Sequence, residues 1–307
     1  MPRLPGLPRS LYYGQIVNRA SPLNRGLVSW WLNLPQRGKG NTFFDIAGRN
    51  HGTLTNGPTW QGPLGRPGGM GSLSFATASS QYVSIPQSNS LNLGTSFLFS
   101  CWIYPTSLAS YRCVIDSTGR NLSLFINSTA DGGYSRDDEF NSLTYSPAWT
   151  TGEWQHLAWR GTAASNFFYR NGVLCATDTG DLESVSMLTA WHIGGNPSGG
   201  GSYWNGGMDG VRLYNTEHSA DFVQRLYDEE LRGYPQTLNR VSPYTVFDVG
   251  GVFDGCLELQ DGTGHLLLQN GTGCLAGQAA EQAVAGARLL SGGNMSSGVG
   301  IMTGGAL

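Results

Sequence analysis

The sequence predicts an all-β protein built around a two-sheet antiparallel sandwich, and two observations lead to that prediction. Charged residues are only 13% of the chain and glycine numbers 45, which is poor material for long helices because glycine disfavours them. Short runs of alternating apolar and polar residues, bounded by Gly, Pro, Asn and Ser, follow one another at the close spacing typical of sandwiches. Nine Trp, thirteen Tyr and twelve Phe can supply the core.

The predicted strands share this period-2 alternation. They are LVSWWL (27–32), SLSFA (72–76), QYVSIP (81–86), SFLFSCWIYP (96–105), YRCVIDS (111–117), NLSLFIN (121–127), WQHLAWRG (154–161), SNFFYRNGVLCAT (165–177), AWHIGG (190–195) and MDGVRLYN (208–215). Within the run 165–177, Asn171-Gly172 predicts a tight hairpin turn, because both residues accept positive φ. The Gly-rich GGNPSGGG (194–201) is interpreted as a flexible connection.

One helix is predicted, over SADFVQRLYDEELRG (219–233). Ser219 can cap its first turn, Phe222, Leu226 and Leu231 follow a near-helical spacing, and Gly233 can end it.

Both ends of the chain differ from the middle. Prolines at 2, 5 and 8 predict an extended arm over residues 1–26, followed by the sandwich over 27–235. Residues 236–307 form a Gly-rich tail, in which CLELQDGTG (256–264) and HLLLQNGTG (265–273) repeat and predict a β-hairpin or small sheet. A short helix over 276–290 is a further prediction. The arm is expected to dock either on its own domain or on a neighbour, and the tail to pack on another subunit.

Composition excludes several classes of function. The formal charge is −3 without a basic block, so we expect no nucleic-acid partner. No apolar run is long enough to cross a membrane, and the early prolines break any signal-peptide core. The five cysteines have irregular spacing and no CxxC motif, so we expect mostly free, buried thiols. A Cys101–Cys113 disulfide is the alternative.

Seven segments follow one another over about 26–233; they are GLVSWWLNLP, FFDIAGRNHGTLTNGPTW, YVSIPQSNSLNLGTSFLFSCWIYP, WQHLAWRG, FYRNGVL, IGG and WNGGMDGVRLYN…DFVQRLYDEE. In this order they resemble laminin G-like, concanavalin A-like jelly-roll domains. The resemblance implies a jelly-roll sandwich whose last strand points Val211 and Leu213 inward, with Arg212 and Tyr214 outward.

Asp209 has two interpretations. In the first, its carboxylate caps a turn by accepting backbone N–H groups. In the second, which the resemblance implies, a structural Ca²⁺ is bound by Asp45, Asn50 and Asp209, because calcium takes carboxylate, amide and carbonyl oxygens. Arg49 lies within the same loop and disfavours a cation. His51 has no second His or Cys at zinc spacing, and we expect a hydrogen-bonded loop histidine.

We expect the protein not to be an enzyme. Asp137 and Glu139 have the i, i+2 spacing of paired carboxylates, but they follow TADGGYS and are interpreted as a solvated acidic loop. The family's hydrolase pattern of three alternating acids is absent, as are a nucleophile elbow and a phosphate loop.

Sugar binding by aromatic stacking is the favoured function. The candidate residues lie in or beside loop-like segments; they are Tyr134, Tyr145, Trp149, Tyr203 and Trp204. Core packing is the alternative for each. The tryptophans of the predicted strands are assigned to the core; they are Trp30, Trp31, Trp102, Trp154 and Trp159.

The start SPLNRGLVSWW and the tail LQDGTGHLLLQNGTG resemble phage structural proteins that carry such domains. This resemblance implies a virion protein, either a capsid decoration or a tail appendage subunit, assembled in the host cytoplasm. Its partners would be other virion proteins, bound through arm and tail, and a cell-surface glycan. Analogy with viral appendages favours a homotrimer. A secreted lectin and a glycoside hydrolase are the alternatives.

Overall fold

A computed structural model describes residues 15–34, 40–62, 66–69, 71–108, 111–118, 122–128, 130–136, 139–179, 189–198, 200–240, 256–258 and 265–267. The chain divides into two compact units, one of which is Val17–Leu238. The other contains a short antiparallel strand pair, Cys256–Glu258 with His265–Leu267, as the tail repeat predicts. The predicted helix over 276–290 lies outside the described residues.

The described residues form twenty-two strands and one α-helix. The strands are β1 (Gln15–Val17), β2 (Leu27–Trp31), β3 (Thr42–Phe43), β4 (Gly52–Thr55), β5 (Thr59–Gln61), β6 (Ser72–Phe75), β7 (Tyr82–Ile85), β8 (Phe97–Pro105), β9 (Arg112–Ser117), β10 (Leu122–Ile126), β11 (Asp131–Arg136), β12 (Glu139–Thr144), β13 (Gln155–Gly161), β14 (Ser165–Arg170), β15 (Val173–Thr179), β16 (Trp191–Ile193), β17 (Gly195–Asn196), β18 (Ser202–Tyr203), β19 (Gly206–Tyr214), β20 (Leu238–Arg240), β21 (Cys256–Glu258) and β22 (His265–Leu267). The helix is α1 (Ala220–Leu231).

Two large antiparallel sheets face each other, as the strand alternation predicts. In the helix-side sheet the order is β15-β14-β13-β8-β19-β6-β5, with β2 also paired to β19. In the opposite sheet the order is β12-β11-β10-β9-β16-β7-β4-β3. Alternate residues of both sheets, such as Phe99 and Val211 from one and Val83 and Leu124 from the other, meet in one apolar core. The predicted all-β jelly-roll sandwich is therefore confirmed.

Local sequence signals fix the turn and the helix where they were predicted. Asn171 and Gly172 both adopt positive φ, 51° and 78°, between β14 and β15. The Ser219 hydroxyl accepts a hydrogen bond from the Phe222 N–H at 3.2 Å and caps α1. Gly233, with φ of 76°, follows its last turn.

The hairpin of β11 and β12 corrects the interpretation of TADGGYS as a loop. These two strands pair in register from Asp131 opposite Thr144 to Arg136 opposite Glu139. Gly132 and Gly133 interrupt the apolar alternation that identifies a strand, so the segment carries the composition of a turn. The pairing of both strands in the sheet outweighs that local signal.

A second apolar cluster lies on the outer side of the helix-side sheet, beneath α1. Along β19, Val211 and Leu213 point into the core between the sheets, whereas Tyr214 points the other way, as predicted. The outward residues are nevertheless fully buried, because Val223 and Leu226 of α1 cover them.

The compact unit begins before the predicted boundary at residue 27. Leu23 is buried in the cluster beneath α1, and its carbonyl accepts a hydrogen bond from the Tyr214 hydroxyl at 3.1 Å. Asn24 is also buried and donates to the Thr237 carbonyl at 2.9 Å. The stretch after Val17 is therefore part of the sandwich unit, and residues 1–14 of the predicted arm lie outside the described residues.

Cys101, Cys113 and Cys175 are free and buried, so the alternative Cys101–Cys113 disulfide is wrong. Burial raises the pKa of all three thiols, which makes them poor nucleophiles. The side chains of Cys256 and Cys274 lie outside the described residues.

Four buried charged residues fasten α1 to the helix-side sheet. One carboxylate oxygen of Glu230, on α1, lies 3.2 Å from Arg212 Nε. Its other carboxylate oxygen lies 3.3 Å from Arg66 Nη2. Arg66 Nε also lies 3.2 Å from Asp209 Oδ2. Two cations face two carboxylates, so the cluster pairs its charges within the interior.

Aromatic rings complete this cluster. Trp102 donates from Nε1 to Glu230 at 2.5 Å, and the Arg212 guanidinium lies 3.7 Å from the centre of the Trp30 ring. The Tyr234 hydroxyl accepts a hydrogen bond from Arg66. Burial raises the pKa of Asp209 to about 6, and the attraction of Arg66 offsets only part of that cost.

Replacing Arg212 with Met should lower the free energy of unfolding by about 3–5 kcal/mol, because it leaves Glu230 buried without one of its cations. Denaturant unfolding followed by tryptophan fluorescence measures the change. The matched control is Arg225→Met on the exposed face of α1, where the side chain is 52% exposed and its ion pair with Asp221 spans 4.0 Å. The control should cost less than about 1 kcal/mol; equal losses would contradict the role assigned to the cluster.

Candidate functional site

The outer surface of the opposite sheet carries a row of mostly polar side chains that crosses its strands. Register places these residues side by side, each on the neighbouring strand, because cross-strand partners share a face. From β4 to β12 the row reads Thr53, Ser84, His192, Asp116, Ser123, Ser135 and Phe140. No helix analogous to α1 is packed on this face among the described residues.

Asp116 holds the imidazole of His192 in the middle of the row. Its Oδ2 lies 3.2 Å from His192 Nδ1, while its Oδ1 accepts a hydrogen bond from the Ser123 hydroxyl at 2.5 Å. Asp116 and Ser123 are buried and His192 is 6% exposed. The buried pair therefore positions the histidine rather than contacting a ligand itself.

Three aromatic rings form a cluster at one end of this face. Tyr111 and Phe140 are each 40% exposed, which is unusual for side chains of this size in the described part of the chain. Their ring centres are 5.7 Å apart, and both pack against Phe125, at 6.3 and 6.2 Å. We call these three residues the aromatic cluster.

Gly133 gives the aromatic cluster its position on the sheet. A Cβ atom at Gly133 would lie 2.3 Å from Cζ of Phe140 and 2.7 Å from the Asn141 carbonyl oxygen. The Phe140 ring therefore lies over the bare backbone of β11. Gly133 therefore has two effects: it interrupts the apolar alternation that would identify β11 in the sequence, and it leaves room for the Phe140 ring.

Two tyrosines form a second aromatic surface on the same face. Tyr82 of β7 and Tyr203 of β18 are half-buried and stacked, with ring centres 6.2 Å apart and an angle of 30°. Tyr82 also packs edge-on against His192 at 5.3 Å. We call Tyr82 and Tyr203 the tyrosine pair.

The structure corrects most of the predicted sugar-binding set. Four of its members belong to the core between the sheets and are 0–2% exposed; they are Tyr134, Tyr145, Trp149 and Trp204. Their polar atoms serve the fold, since the Tyr134 hydroxyl donates to Asp178 at 2.7 Å and Trp204 Nε1 donates to the Gly207 carbonyl at 3.2 Å. Tyr203 is the member that lies on the outer face.

The residues that do form the outer aromatic surfaces were missed. Tyr82 and Phe125 stand in predicted strands, at the positions that alternate with core residues such as Val83 and Leu124. Counting that alternation would have placed both rings on the outside. Phe140 offered no such signal, because β12 was not identified. Of the tryptophans assigned to the core, Trp154 is only half-buried.

Asp45 organises its loop with backbone donors. Its Oδ1 accepts from the N–H groups of Trp30, Ala47 and Gly48 at 2.9, 3.0 and 2.8 Å, and its Oδ2 accepts from Asn50 N at 3.1 Å. A carboxylate has about four acceptor sites, so this set occupies them. His51 Nδ1 accepts from the Asp45 N–H at 3.1 Å, as the prediction of a hydrogen-bonded loop histidine requires.

The residues named for calcium do not fit one shared site. Asn50 joins the Asp45 loop, but its Nδ2 donates to the hydroxyls of Ser29 and Ser90. Asp209 lies in the charged cluster instead: Oδ1 accepts from Asn33 N at 2.9 Å and Oδ2 faces Arg66. Within the described ranges, no group of three or more His, Cys, Asp or Glu side chains could hold a metal ion.

The acidic pair considered for hydrolysis falls mostly outside the described residues. Asp137 is not described, and for Glu139 the structure gives only the backbone of β12. Within the described part of the chain, no helix has the length and apolarity required to cross a membrane.

Comparison with known proteins agrees with this architecture. Residues 77–224 match the laminin G-like model of the concanavalin A-like lectin/glucanases superfamily. The resemblance of these motifs to laminin G-like domains is therefore confirmed over residues 77–224. No curated protein matches the chain.

Several solved structures share the fold at low sequence identity. Domain 4 of AbnA, a GH43 extracellular arabinanase from Geobacillus stearothermophilus in complex with arabinotriose, matches with a TM-score of 0.52 and 16% identity, over 66% of this chain and 98% of that one. The botulinum neurotoxin serotype C1 binding domain matches with 0.51 and 15%, over 68% of this chain and 53% of that one. A Trypanosoma rangeli sialidase mutant matches with 0.50 and 13%, over 67% and 33%. The likeness is one of fold.

Treatment with EDTA should leave the melting temperature unchanged, because the oxygens of Asp45 and Asp209 are engaged by protein donors. Asp45→Ala should instead lower the free energy of unfolding by about 2 kcal/mol or more, since it leaves buried N–H groups without a hydrogen-bond acceptor. Calorimetry of the full chain with EDTA, and again with added Ca²⁺, measures the first effect. A lower melting temperature in EDTA that calcium restores would overturn this assignment.

Proposed function

We propose that the chain is a non-catalytic carbohydrate-binding protein whose ligand surface is the outer face of the opposite sheet. The exposure of the aromatic cluster carries this proposal. Two large rings that remain 40% exposed side by side on a sheet do not contribute the full stabilisation that their burial would give. Exposed rings beside polar groups are what a sugar requires, since one of its faces is apolar and its rim is made of hydroxyls.

The neighbouring polar residues support the same ligand. Thr53 is exposed and Ser84 half-buried beside the tyrosine pair, on β4 and the adjacent β7, and both can exchange hydrogen bonds with hydroxyl groups. The arabinanase domain of the same fold was solved with arabinotriose, so this fold can hold a sugar chain. The proposal excludes catalysis because Asp116, the carboxylate in the row, is already engaged by Ser123 and His192, and glycosidases require a pair.

The full-length protein should bind members of a glycan array, and Phe140→Ala should weaken that binding by about tenfold through loss of the stacking surface. Titration of the best array ligand by calorimetry measures the affinity. Leu174→Ala is the matched control, because Leu174 is also exposed, at 47%, but lies on the helix-side sheet. Equal affinities of the Phe140 and Leu174 variants would refute this surface, and hydrolysis of a bound glycan would refute the exclusion of catalysis.

We further propose that the domain is displayed on a virion, with residues before the compact unit and the tail as its attachments to capsid or tail proteins and to other copies in a homotrimer. Support comes from the resemblance of SPLNRGLVSWW and of the tail repeat to phage structural proteins. Assembly would take place in the host cytoplasm. Mass spectrometry of purified virions should find the protein in stoichiometric amounts; its absence from particles would favour the secreted lectin.

A further inference from the structure

The two aromatic surfaces of the opposite sheet belong to one row that runs parallel to the polar row. Tyr82 lies two residues before Ser84 on β7, and Phe125 lies two residues after Ser123 on β10. Both steps lead the same way along the sheet, because β7 and β10 are separated by three antiparallel pairings and run in opposite directions. The β9–β10 register shifts by one residue between Leu124 and Phe125. Phe125 is opposite Cys113 on one side and Gly133 on the other, and Phe140 covers Gly133.

Strand spacing sets the distance between the tyrosine pair and the aromatic cluster. The strands β7, β16, β9 and β10 are consecutive in the sheet, so Tyr82 and Phe125 are three strand spacings apart. At about 4.8 Å each, this places the two surfaces roughly 14 Å apart, with the Phe140 ring one strand farther. A single sugar ring is shorter than this separation and can occupy only one of the surfaces.

The charges beside this row select against an ionised ligand. His192 and Asp116 are the titratable side chains of the polar row, and they pair with each other at 3.2 Å. The other members are hydroxyl groups and the Phe140 ring. Tyr82, Tyr203, Tyr111 and Phe125 add rings without formal charge. The face therefore offers stacking surfaces and hydrogen-bonding groups but no unpaired cation or carboxylate among these residues.

We infer that the ligand is an uncharged, linear oligosaccharide that lies across the strands, with one part stacked on the tyrosine pair and another on the aromatic cluster. This inference rests on the proposed carbohydrate binding and specifies its ligand class. The sugars between the two stacked ones pass over the buried part of the row from His192 to Ser123, where His192, at 6% exposed, is the least buried polar group. Asp116 and Ser123 are positioning residues that fix the imidazole.

The test is a length series of linear neutral oligosaccharides, such as arabino- or cello-oligosaccharides of one to about six sugars, titrated into the full-length protein. Affinity should rise steeply with length until the chain spans both surfaces, and then level off. Tyr203→Ala and Phe140→Ala should each lower the affinity for the longest member by about tenfold. Each should also move the plateau to shorter chains, because only one stacking surface is left.

Two controls separate this inference from the proposed function. Leu174→Ala should leave the length dependence unchanged, and circular dichroism checks that each variant is folded. An oligosaccharide with charged uronic acid units should bind more weakly than its neutral counterpart of equal length. Binding of one or two sugars as tightly as six would overturn the inference and leave the proposed function standing. Absence of binding to every array and series member would overturn both.

Discussion

The buried ion pairs beneath α1 are the constraint on which the rest of the architecture depends. Arg66, Asp209, Arg212 and Glu230 lie within the protein, where an unpaired charge would cost several kcal/mol, so none can be lost alone. Glu230 belongs to the helix, Asp209 and Arg212 to β19, and Arg66 to the segment between β5 and β6. A displacement of α1 would separate Glu230 from Arg66 and Arg212 and leave buried charges unpaired. The cluster therefore opposes movement of the helix relative to the sheet.

Because α1 covers one sheet only, the outer faces of the two sheets differ in their exposure. The part of the helix-side sheet beneath α1 is covered on both faces, and its outward residues Arg212 and Tyr214 are as buried as its core. The outer face of the opposite sheet is buried at its centre, where Asp116, Ser123 and Ser135 are 0–1% exposed, but it retains the exposed rings of Tyr111 and Phe140 at one end. The exposed part of this face is therefore available to a ligand. The stacked tyrosines and the His192–Asp116 pair lie on the same face.

Strand alternation was enough to predict the sandwich and the direction of residues on β19, because both follow from the two-residue period of a strand. It failed where glycine replaced the apolar member of the pattern, as at Gly132 and Gly133 of β11. The site was harder to predict than the fold. Tyr134 and Trp204 were interpreted as loop aromatics because their neighbours are Gly, Ser and Asn, and nothing local shows which side of a sandwich such a ring faces. Likewise, the role of Asp209 depends on its ion pair with Arg66. Arg66 is distant in the sequence and is brought close to Asp209 only by the tertiary fold.

The two ends of the compact unit lie side by side. The Asn18 N–H donates to the Thr237 carbonyl at 2.8 Å, and Asn24 donates to the same oxygen. A domain whose entry and exit are adjacent can be carried within a surface loop of another protein without separating the host's own strands, and it tolerates new termini at an exposed turn. Such a domain can be inserted into unrelated polypeptides during evolution while its sandwich stays intact.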